Sequence, residues 1–300
     1  MLVGYTGFVG SNLRLSHEFN YLINSKNIES AYGVNPDRLI YSGVPAEMFI
    51  ANKYPEQDAE IIENAKNNIK QINPKTVVLI STVAVYDTTN GVNEDYEPDT
   101  EKLTPYGKNR LELEKWVEDN YENHLIVRLP AIFGENLKKN FICDYINFIP
   151  PMLNEEKYSD FSSRDELIKK HYISLNNGFY KCNATDTATK KALKESFKNI
   201  GFSALNFTDS RSVYQFFNLK NLYFMIEDCL DKGIKKINLV TPPVSISELY
   251  NELSGQAFEN LLNKEPFNYD LKTKHFDSGY IMSKNQELAE IKDFVDSKTI

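Results

Sequence analysis

The sequence is poor in cysteine, in positive charge and in long apolar runs, and each shortage excludes a class of protein. Its three cysteines are odd in number and widely spaced, which argues against a disulfide framework or a metal site. A formal net charge of −8 argues against a nucleic-acid or anionic-membrane partner. No run approaches the roughly 20 apolar residues of a membrane span, and the start lacks the pattern of a secretory signal. We therefore expect a cytoplasmic protein that needs no metal.

Strand-like and helix-like segments alternate through the first half of the chain. The clearest strand is Thr76–Thr82, which is apolar on both faces, and the clearest helices are 56–72 and 105–121. Such alternation predicts βαβ units and therefore an α/β fold with a Rossmann-type, doubly wound parallel sheet. Residues 1–146 are expected to form this domain.

The second half of the chain is less regular. No strand is predicted in the polar stretch after Asn147, and a helix is expected from Asn218, its N-cap, to Leu230. Ser245 and Glu248 have the spacing of a capping box at the start of another helix. We expect residues 147–300 to form a smaller C-terminal substrate-binding lobe, with 205–240 returning in part to the Rossmann domain.

Three glycines stand at a spacing of three near the start of the chain. Gly4, Gly7 and Gly10 follow the apolar pair Leu2–Val3 directly and precede a helix-like run. Glycine allows a tight turn and a close approach of the backbone to a ligand, and the free N–H groups of a helix start can bind phosphate. The spacing differs from the usual dinucleotide fingerprint, so an ordinary tight turn remains the alternative.

Residues at the ends of the predicted strands indicate a ligand crevice. In a doubly wound sheet the crevice lies at the carboxyl ends of the strands. The residues at those ends are Gly4, Ser42, Ser81 with Thr82, and Leu129 with Pro130.

A tyrosine and an arginine follow the strand that ends at Thr82. Tyr106 and Arg110 are four residues apart, so they share one face of the predicted helix. A nearby cation lowers the pKa of a tyrosine, which then transfers a proton more readily at neutral pH. We expect Tyr106 to be the acid/base, Arg110 to lower its pKa, and Thr82 to orient the substrate oxygen. The alternatives are a packed helix tyrosine, a solvated arginine and an ordinary strand threonine.

These segments together resemble the extended short-chain dehydrogenase/reductases, a family of nucleotide-sugar epimerases, dehydratases and reductases. GYTGFVGSNL resembles the family's phosphate loop, Ser81–Tyr86 its Ser/Thr motif, PYGKNR its catalytic tyrosine motif and RLPAIFG its nicotinamide loop. The resemblance implies an NAD(P) cofactor. The implied contacts come from Gly4, Thr6, Gly7, Phe8, Val9, Gly10, Ser42, Gly43, Ser81, Tyr106, Arg110 and Pro130.

Two residues of the second half extend the resemblance to a substrate site. SRSVYQFFNL resembles the family motif that places Arg211 on the substrate phosphate. Asn140 resembles the asparagine that holds the phosphate or base of the substrate, and Thr82 stands at the catalytic Ser/Thr position.

The chain also departs from the family pattern. Arg110 stands where the family has lysine, and Ala131 where its nicotinamide loop has asparagine. The segment after the second strand is short, so a strand–helix piece is expected to be missing. Ser25 and Lys26 follow that strand in place of the acidic residue typical of NAD enzymes, which favours NADP over NAD. An ordinary polar turn is the alternative.

The expected function is hydride transfer between a nicotinamide cofactor and a nucleotide-linked sugar. Reduction of a 4-keto sugar is the first hypothesis, and epimerisation is the enzymatic alternative. A non-catalytic, cofactor-binding regulatory or scaffold protein is the alternative from another class, supported by Arg110 and Ala131. The resemblance also implies a homodimer. The acidic run from Glu94 to Glu101 is interpreted as a solvated loop.

Overall fold

A computed structural model describes residues 1–298, which divide into two units. Unit 1 contains residues 1–137, 213–244 and 268–290. Unit 2 contains 138–212, 245–267 and the residues from 291 onward. The sequence analysis places the first boundary at 146/147, whereas the contacts place it at 137/138.

The elements follow one another in chain order. Up to residue 137 they are β1 (Leu2–Val3), α1 (Phe8–Ser16), β2 (Leu22–Ile23), a 3₁₀ turn (Ile28–Ala31), β3 (Arg38–Tyr41), α2 (Met48–Lys53), α3 (Pro55–Ile72), β4 (Thr76–Thr82), a 3₁₀ turn (Val83–Val85), α4 (Pro105–Asn120), β5 (His124–Leu129) and β6 (Ala131–Phe133). From there they are α5 (Phe141–Asn147), β7 (Met152–Asn154), α6 (Glu155–Arg164), α7 (Glu166–His171), β8 (Tyr172–Ser174), β9 (Phe179–Cys182), α8 (Thr187–Ile200), a 3₁₀ turn (Ala204–Phe207), β10 (Val213–Tyr214), β11 (Phe216–Asn218), a 3₁₀ turn (Leu219–Asn221), α9 (Leu222–Asp231), β12 (Lys236–Asn238), β13 (Val244–Ser245), α10 (Ile246–Ser254) and α11 (Lys284–Lys298).

The main sheet of unit 1 has six parallel strands in the order β12-β5-β4-β3-β1-β2. The predicted α/β fold with a Rossmann-like parallel sheet is therefore confirmed. Because β1 pairs with β2 on one side and with β3 on the other, the strand order reverses there. In open α/β sheets ligands bind at the carboxyl ends beside such a reversal. Only a 3₁₀ turn lies between β2 and β3, at the place where the missing piece is expected.

Apolar residues cover both faces of this sheet. Val78 belongs to a buried cluster that includes Leu13 of α1 and Ile226 of α9. Its neighbour Val77 belongs to a second cluster, on the opposite face, that contains residues of α3 and α4. Burial on both faces explains why Thr76–Thr82 reads as a continuous apolar strand, and the bounds of this strand are confirmed.

Unit 2 contains a small sheet that the sequence analysis does not predict. Strands β7, β9 and β8 pair antiparallel in that order. The expectation of no strand in the polar stretch after Asn147 is wrong, because these strands have three or four residues and too little alternation to be recognised. Their inward side chains, Leu153 and Tyr172, pack with Phe161, Ile168 and Phe197 of unit 2.

Two predicted helix starts are both capped as expected. Asn218 is confirmed as a cap, because its side chain accepts from the N–H of Lys220 (3.1 Å). The turn that it caps is 3₁₀, and the α-helix α9 follows directly from Leu222. The cap at Ser245 is confirmed, since its Oγ accepts from the N–H of Glu248 (3.1 Å). Within residues 1–298, no helix is both long and apolar enough to cross a membrane.

Candidate cofactor site and active site

The glycine loop between β1 and α1 is closed tightly on itself. Gly4 has φ +91°, and a Cβ there would lie 2.4 Å from the carbonyl oxygen of Ser42. A Cβ at Gly10 would lie 2.2 Å from the carbonyl oxygen of Gly4. The Gly7 N–H donates to that same oxygen (3.0 Å), and Gly7, the N-cap of α1, offers no side-chain cap. The first-turn N–H groups of α1 are thus open to an anion of the phosphate class.

Asn12 fixes the helix that follows this loop. Its Nδ2 donates to the carbonyl oxygens of Phe8 (2.8 Å) and Glu135 (2.9 Å), and its Oδ1 accepts from the N–H of Glu135 (2.9 Å). A Cβ at Gly134 would lie 2.5 Å from that Oδ1. The sequence analysis missed Asn12, and an asparagine next to the apolar Leu13 in a helix is the signal that could have found it.

The end of β3 lies against the glycine loop. Ser42 donates to the carbonyl oxygen of Val3 through both its N–H and its Oγ, at 2.9 Å each. A Cβ at Gly43 would lie 3.0 Å from Cγ1 of Val3. The Ser42 hydroxyl is therefore used to close β3 onto β1. The cofactor contacts expected of Ser42, Gly43 and the loop residues Thr6, Phe8 and Val9 stay predictions.

A polar turn follows β2. Asn24 accepts from the N–H of Lys26 (2.9 Å), and Asn27 Oδ1 accepts from the N–H of Asn24 (2.7 Å). These bonds order the turn and leave Ser25 and Lys26 exposed at the edge of the sheet. Recognition of a 2′-phosphate by these two residues stays a prediction.

Thr82 and Tyr106 come together where β4 ends and α4 begins. The side chains of Thr82 and Arg110 both act on the Tyr106 phenol, and Oγ1 of Thr82 accepts from the N–H of Ala84 (3.1 Å). A Cβ at Gly107 would lie 2.2 Å from the carbonyl oxygen of Ala84, so glycine lets α4 approach this closely. Thr104 caps α4 by accepting from the N–H of Gly107 (3.3 Å). The first turn of α4 thus fixes the position of the tyrosine.

Arg110 lies on the same face of α4, one turn after the tyrosine. Its guanidinium carbon lies 4.2 Å from the centroid of the Tyr106 ring. Its Nη1 forms an ion pair with Oδ2 of Asp58 on α3, and its Nη2 donates to the carbonyl oxygen of Pro45 (2.7 Å). Arg110 and Asp58 are both buried. Two fixed acceptors therefore hold the guanidinium flat on the ring.

Burial decides the direction in which the pKa of Tyr106 is shifted. Loss of water around the phenol raises this pKa, and the Asp58 carboxylate adds to the rise. Arg110 lowers this pKa, as expected, and Thr82 does so too, but neither reverses the effect of burial. The pKa of Tyr106 is raised on balance because the ring is only 6% exposed.

Ser81 connects to buried charges behind the site. Its Oγ donates to Oε1 of Glu114, which is 0% exposed and forms an ion pair with Arg128 (Nη2 to Oε2, 2.6 Å). The hydroxyl is thereby engaged by α4. The cofactor contacts expected of Ser81, and of Pro130 after β5, stay predictions.

The two predicted substrate residues lie in unit 2. Asn140 has φ +126° and caps α5 by accepting from the N–H of Cys143 (3.0 Å). Arg211 binds Asp209 with Nε (3.0 Å) and Nη2 (2.7 Å), and these hydrogen bonds hold the pKa of that carboxyl well below its usual range. The Arg211 side chain is 48% exposed, so part of the guanidinium faces solvent. Both substrate roles stay predictions.

The acidic run after β4 contains a buried carboxylate. Oε1 of Glu94 accepts from the N–H of Asn238 and from Oγ1 of Thr273, at 2.6 Å each. The interpretation of the whole run as a solvated loop is wrong at Glu94, because this side chain bonds the segments that follow β5. Among residues 1–298 no cluster of metal-ligating side chains is found.

Comparison with known proteins connects this geometry to nucleotide-sugar enzymes. Residues 22–149 match the family model described as the RmlD substrate binding domain. No curated protein sequence matches the chain significantly. The match and the fold described next confirm the resemblance to extended short-chain dehydrogenase/reductases.

Solved structures share the fold over nearly the whole chain at low identity. A dTDP-4-dehydrorhamnose reductase from Bacillus anthracis in complex with NADP is 15% identical, with 99% of this chain and 96% of that chain covered and a TM-score of 0.61. UDP-N-acetylglucosamine 4-epimerase from Methanobrevibacter ruminantium M1, with UDP-N-acetylmuramic acid, is 12% identical (98% and 96%, TM-score 0.60). MoeE5, with UDP-glucose and NAD, is 14% identical (99% and 98%, TM-score 0.58). Reductases and epimerases, and both nicotinamide cofactors, thus occur on this fold.

Proposed function

We propose that the chain is an NADP-dependent oxidoreductase that reduces a 4-keto sugar linked to a nucleotide. The observation that carries the proposal is the placement of the Tyr106 phenol beside Thr82 at the carboxyl end of β4, with the Arg110 guanidinium over its ring. The same edge of the sheet carries the glycine loop, where the strand order reverses. Asn140 and Arg211 are the proposed substrate contacts of unit 2. Epimerisation by the same residues is the enzymatic alternative.

The glycine loop fits the pyrophosphate of a dinucleotide. Side chains are excluded at Gly4 and Gly10, since a Cβ at either would lie within 2.5 Å of a backbone oxygen. The uncapped first turn of α1 offers N–H donors to phosphate oxygens. When bound, NADPH supplies the hydride. The exposed Ser25 and Lys26 after β2 suit a 2′-phosphate better than a bare ribose hydroxyl.

Tyr106 and Thr82 have complementary roles in this proposal. The phenol hydroxyl of Tyr106 donates its proton to the sugar carbonyl oxygen as that oxygen gains negative charge. Thr82 binds the same oxygen through its hydroxyl and sets the distance to the tyrosine. The raised pKa of Tyr106 keeps the proton on the phenol at neutral pH, as a proton donor requires.

The test compares wild type with Tyr106→Phe on a panel of 4-keto nucleotide sugars with NADPH. We expect Tyr106→Phe to lower kcat by at least about 100-fold, because the proton donor is lost. Tyr86→Phe is the matched control, since Tyr86 also packs on a buried arginine (ring centroid to Arg128, 4.8 Å) but lies in the core. It is expected to keep kcat within about threefold, because its ring carries no step of the reaction. NADPH consumption that Tyr106→Phe leaves unchanged would overturn the assignment.

One observation favours a non-catalytic, cofactor-binding protein instead. The guanidinium of Arg110 is engaged by Asp58 and Pro45, so the cation at the family lysine position is not free for a ribose hydroxyl. If wild type binds NADPH but consumes none on any sugar of the panel, this second function is favoured. The cofactor preference is tested separately by NADPH and NADH affinities. Equal values, or no loss of NADPH affinity in Lys26→Ala, would contradict the proposed role of the turn after β2.

A further inference from the structure

Asp58 is a buried carboxylate that the proposed reaction does not use directly. It lies on α3, and its Oδ2 forms the ion pair with Nη1 of Arg110. The same oxygen accepts from Nδ2 of Asn109 (2.8 Å), so it is bonded from two consecutive residues of α4. Only 4% of Asp58 is exposed. A buried charge of this kind needs a partner, and here the partner is the cation that lies on the catalytic ring.

The ion pair determines where Arg110 can lie. Nη1 is held by Asp58 and Nη2 by the carbonyl oxygen of Pro45, so two sides of the planar fork are fixed. A planar guanidinium held at both ends keeps its orientation, and it therefore stays on the ring face, 4.2 Å from the centroid. Without Asp58 the guanidinium would keep the carbonyl oxygen of Pro45 but lose its carboxylate partner, so its charge would act on the phenol unopposed.

The ion pair also removes most of the net charge beside the tyrosine. The charged groups that face Tyr106 are Arg110 on its own helix and Asp58 from α3. Helix α2 contributes the uncharged Asn52, which accepts from the N–H of Tyr106 (3.0 Å), and β4 contributes the uncharged Thr82. With opposite charges this close together, the field at the phenol is much weaker than that of an unpaired cation.

We infer that Asp58 is a positioning residue that holds and neutralises Arg110, so that Tyr106 stays protonated and serves as a proton donor. The inference rests on the proposed function, in which reduction of a carbonyl requires the protonated phenol. It explains why this site has an arginine with a buried carboxylate partner where the resembling family has a lysine.

The test follows the ionisation of Tyr106 directly, without turnover. Protein labelled with ¹³C at the tyrosine Cζ is titrated by NMR, and the Tyr106 signal is assigned by its absence in Tyr106→Phe. In Asp58→Asn the unpaired cation is expected to lower the titration midpoint of Tyr106 by about one pH unit or more. Glu60→Gln, which removes an exposed charge from the same helix, is the matched control and leaves the midpoint unchanged. An unchanged midpoint in Asp58→Asn would overturn the inference.

A second variant covers the case in which Asp58→Asn fails to fold, since it leaves Arg110 buried without a partner. The double variant Asp58→Asn with Arg110→Gln removes both charges. It is expected to keep the wild-type midpoint within about 0.5 pH units, because the pair contributes little net field. A midpoint lowered by a full unit in the double variant would overturn the inference.

The kinetic readout separates this inference from the proposed function. If the chain reduces a 4-keto sugar, the alkaline limb of its pH profile is expected to move to lower pH in Asp58→Asn, in step with the NMR midpoint. If no sugar is reduced, the proposed function fails while the NMR titration still decides the role of Asp58. If the sugar is reduced and the limb does not move with Asp58→Asn, the inference fails while the proposed function stands.

Discussion

Unit 1 contains two clusters of the same composition, each with an arginine, a carboxylate and a tyrosine. The site cluster consists of Arg110, Asp58 and Tyr106, and the core cluster of Arg128, Glu114 and Tyr86. In each, the guanidinium lies over the tyrosine ring, 4.2 Å from its centroid in the site cluster and 4.8 Å in the core cluster. All six residues are buried. Composition and burial therefore do not distinguish a reactive tyrosine from a structural one.

The hydrogen bonds of the two phenol groups do distinguish them. The Tyr86 hydroxyl accepts from Nη1 of Arg128 (2.6 Å) and Nδ2 of Asn238 (2.9 Å), and it donates to the carbonyl oxygen of Asn93 (2.9 Å). It has no bonding capacity left for a ligand. In the site cluster the guanidinium of Arg110 donates to Asp58 and to the carbonyl oxygen of Pro45, and the side chains that act on the Tyr106 phenol are Thr82 and Arg110. The Tyr86 phenol is saturated by the fold, whereas the Tyr106 phenol lies beside a strand-end hydroxyl and can serve chemistry.

The two clusters are linked through neighbouring residues of β4. Ser81 donates a hydrogen bond to Glu114 of the core cluster, and the next residue, Thr82, acts on the phenol of Tyr106 in the site cluster. Tyr106 and Glu114 are eight residues apart on α4, about two turns. The core cluster therefore fixes α4 against β4 and β5. This attachment keeps the separation between Thr82 and Tyr106 constant in the site cluster.

Loss of the carboxylate of the core cluster is expected to have the largest effect on stability. Glu114→Ala leaves Arg128 buried, at 1% exposure, without its partner, and should lower the free energy of unfolding by about 3–5 kcal/mol. Urea denaturation followed by circular dichroism measures the change. Glu118 lies on the same helix as Glu114 and forms a partly exposed ion pair with Lys236 of β12. Glu118→Ala breaks this pair and should lower the free energy of unfolding by about 1 kcal/mol or less. Equal losses in the two variants would contradict the structural role of the core cluster.

Removal of the phenol oxygen is expected to lower the stability more in the core cluster than in the site cluster at neutral pH. Tyr86→Phe leaves Nη1 of Arg128 without its acceptor and removes one of the two acceptors of Nδ2 of Asn238, and it is expected to lower the free energy of unfolding by about 1–3 kcal/mol. Tyr106→Phe removes a phenol oxygen that has no such set of partners and should cost about 1 kcal/mol or less, with the large effect on kcat described above. The same urea titrations measure both. A greater stability loss for Tyr106→Phe than for Tyr86→Phe would mean that the two roles are exchanged.

Removal of the Ser81 hydroxyl tests whether this residue binds the cofactor, as the family resemblance implies. Because it donates to Glu114, Ser81→Ala should lower the free energy of unfolding by about 1 kcal/mol and leave the Kd for NADPH unchanged. Unfolding and fluorescence titration with NADPH measure the two quantities. A tenfold weaker Kd with unchanged stability would show that the hydroxyl binds the cofactor instead.

The parts of the site that could be predicted from the sequence are those whose partners are close along the chain. The spacing of Gly4, Gly7 and Gly10 indicates the loop, and the four-residue spacing of Tyr106 and Arg110 places both on one helix face. The apolar run Thr76–Thr82 predicts a central strand because both of its faces are buried. Local pattern and periodicity are sufficient for these features.

The charged partners could not be predicted because they come from distant segments. Asp58 precedes Arg110 by 52 residues, and its position in an otherwise ordinary amphipathic helix gives no sign of the pairing. Glu94 lies in an acidic run that looks solvated, and it is buried only because segments near Asn238 and Thr273 return to it. Tertiary packing, which local pattern does not encode, decides whether a carboxylate is a surface group or part of a site.

The smallest expected effect is the pH dependence of the Tyr86→Phe difference. Burial raises the pKa of Tyr86, so above pH 10 the unfolded chain loses a proton that the folded protein keeps. The stability of wild type then falls as pH rises, whereas Phe has no proton to lose. The stability advantage of wild type over Tyr86→Phe should be constant from pH 7 to 9 and smaller at pH 10.5, by at most about 0.8 kcal/mol, which is the limit set by the unfolded-state pKa of about 10. Urea titrations of both proteins across this range measure it. If the advantage stayed constant to pH 10.5, the Tyr86 phenol would ionise equally in the folded and unfolded states, which would contradict its burial in the core cluster.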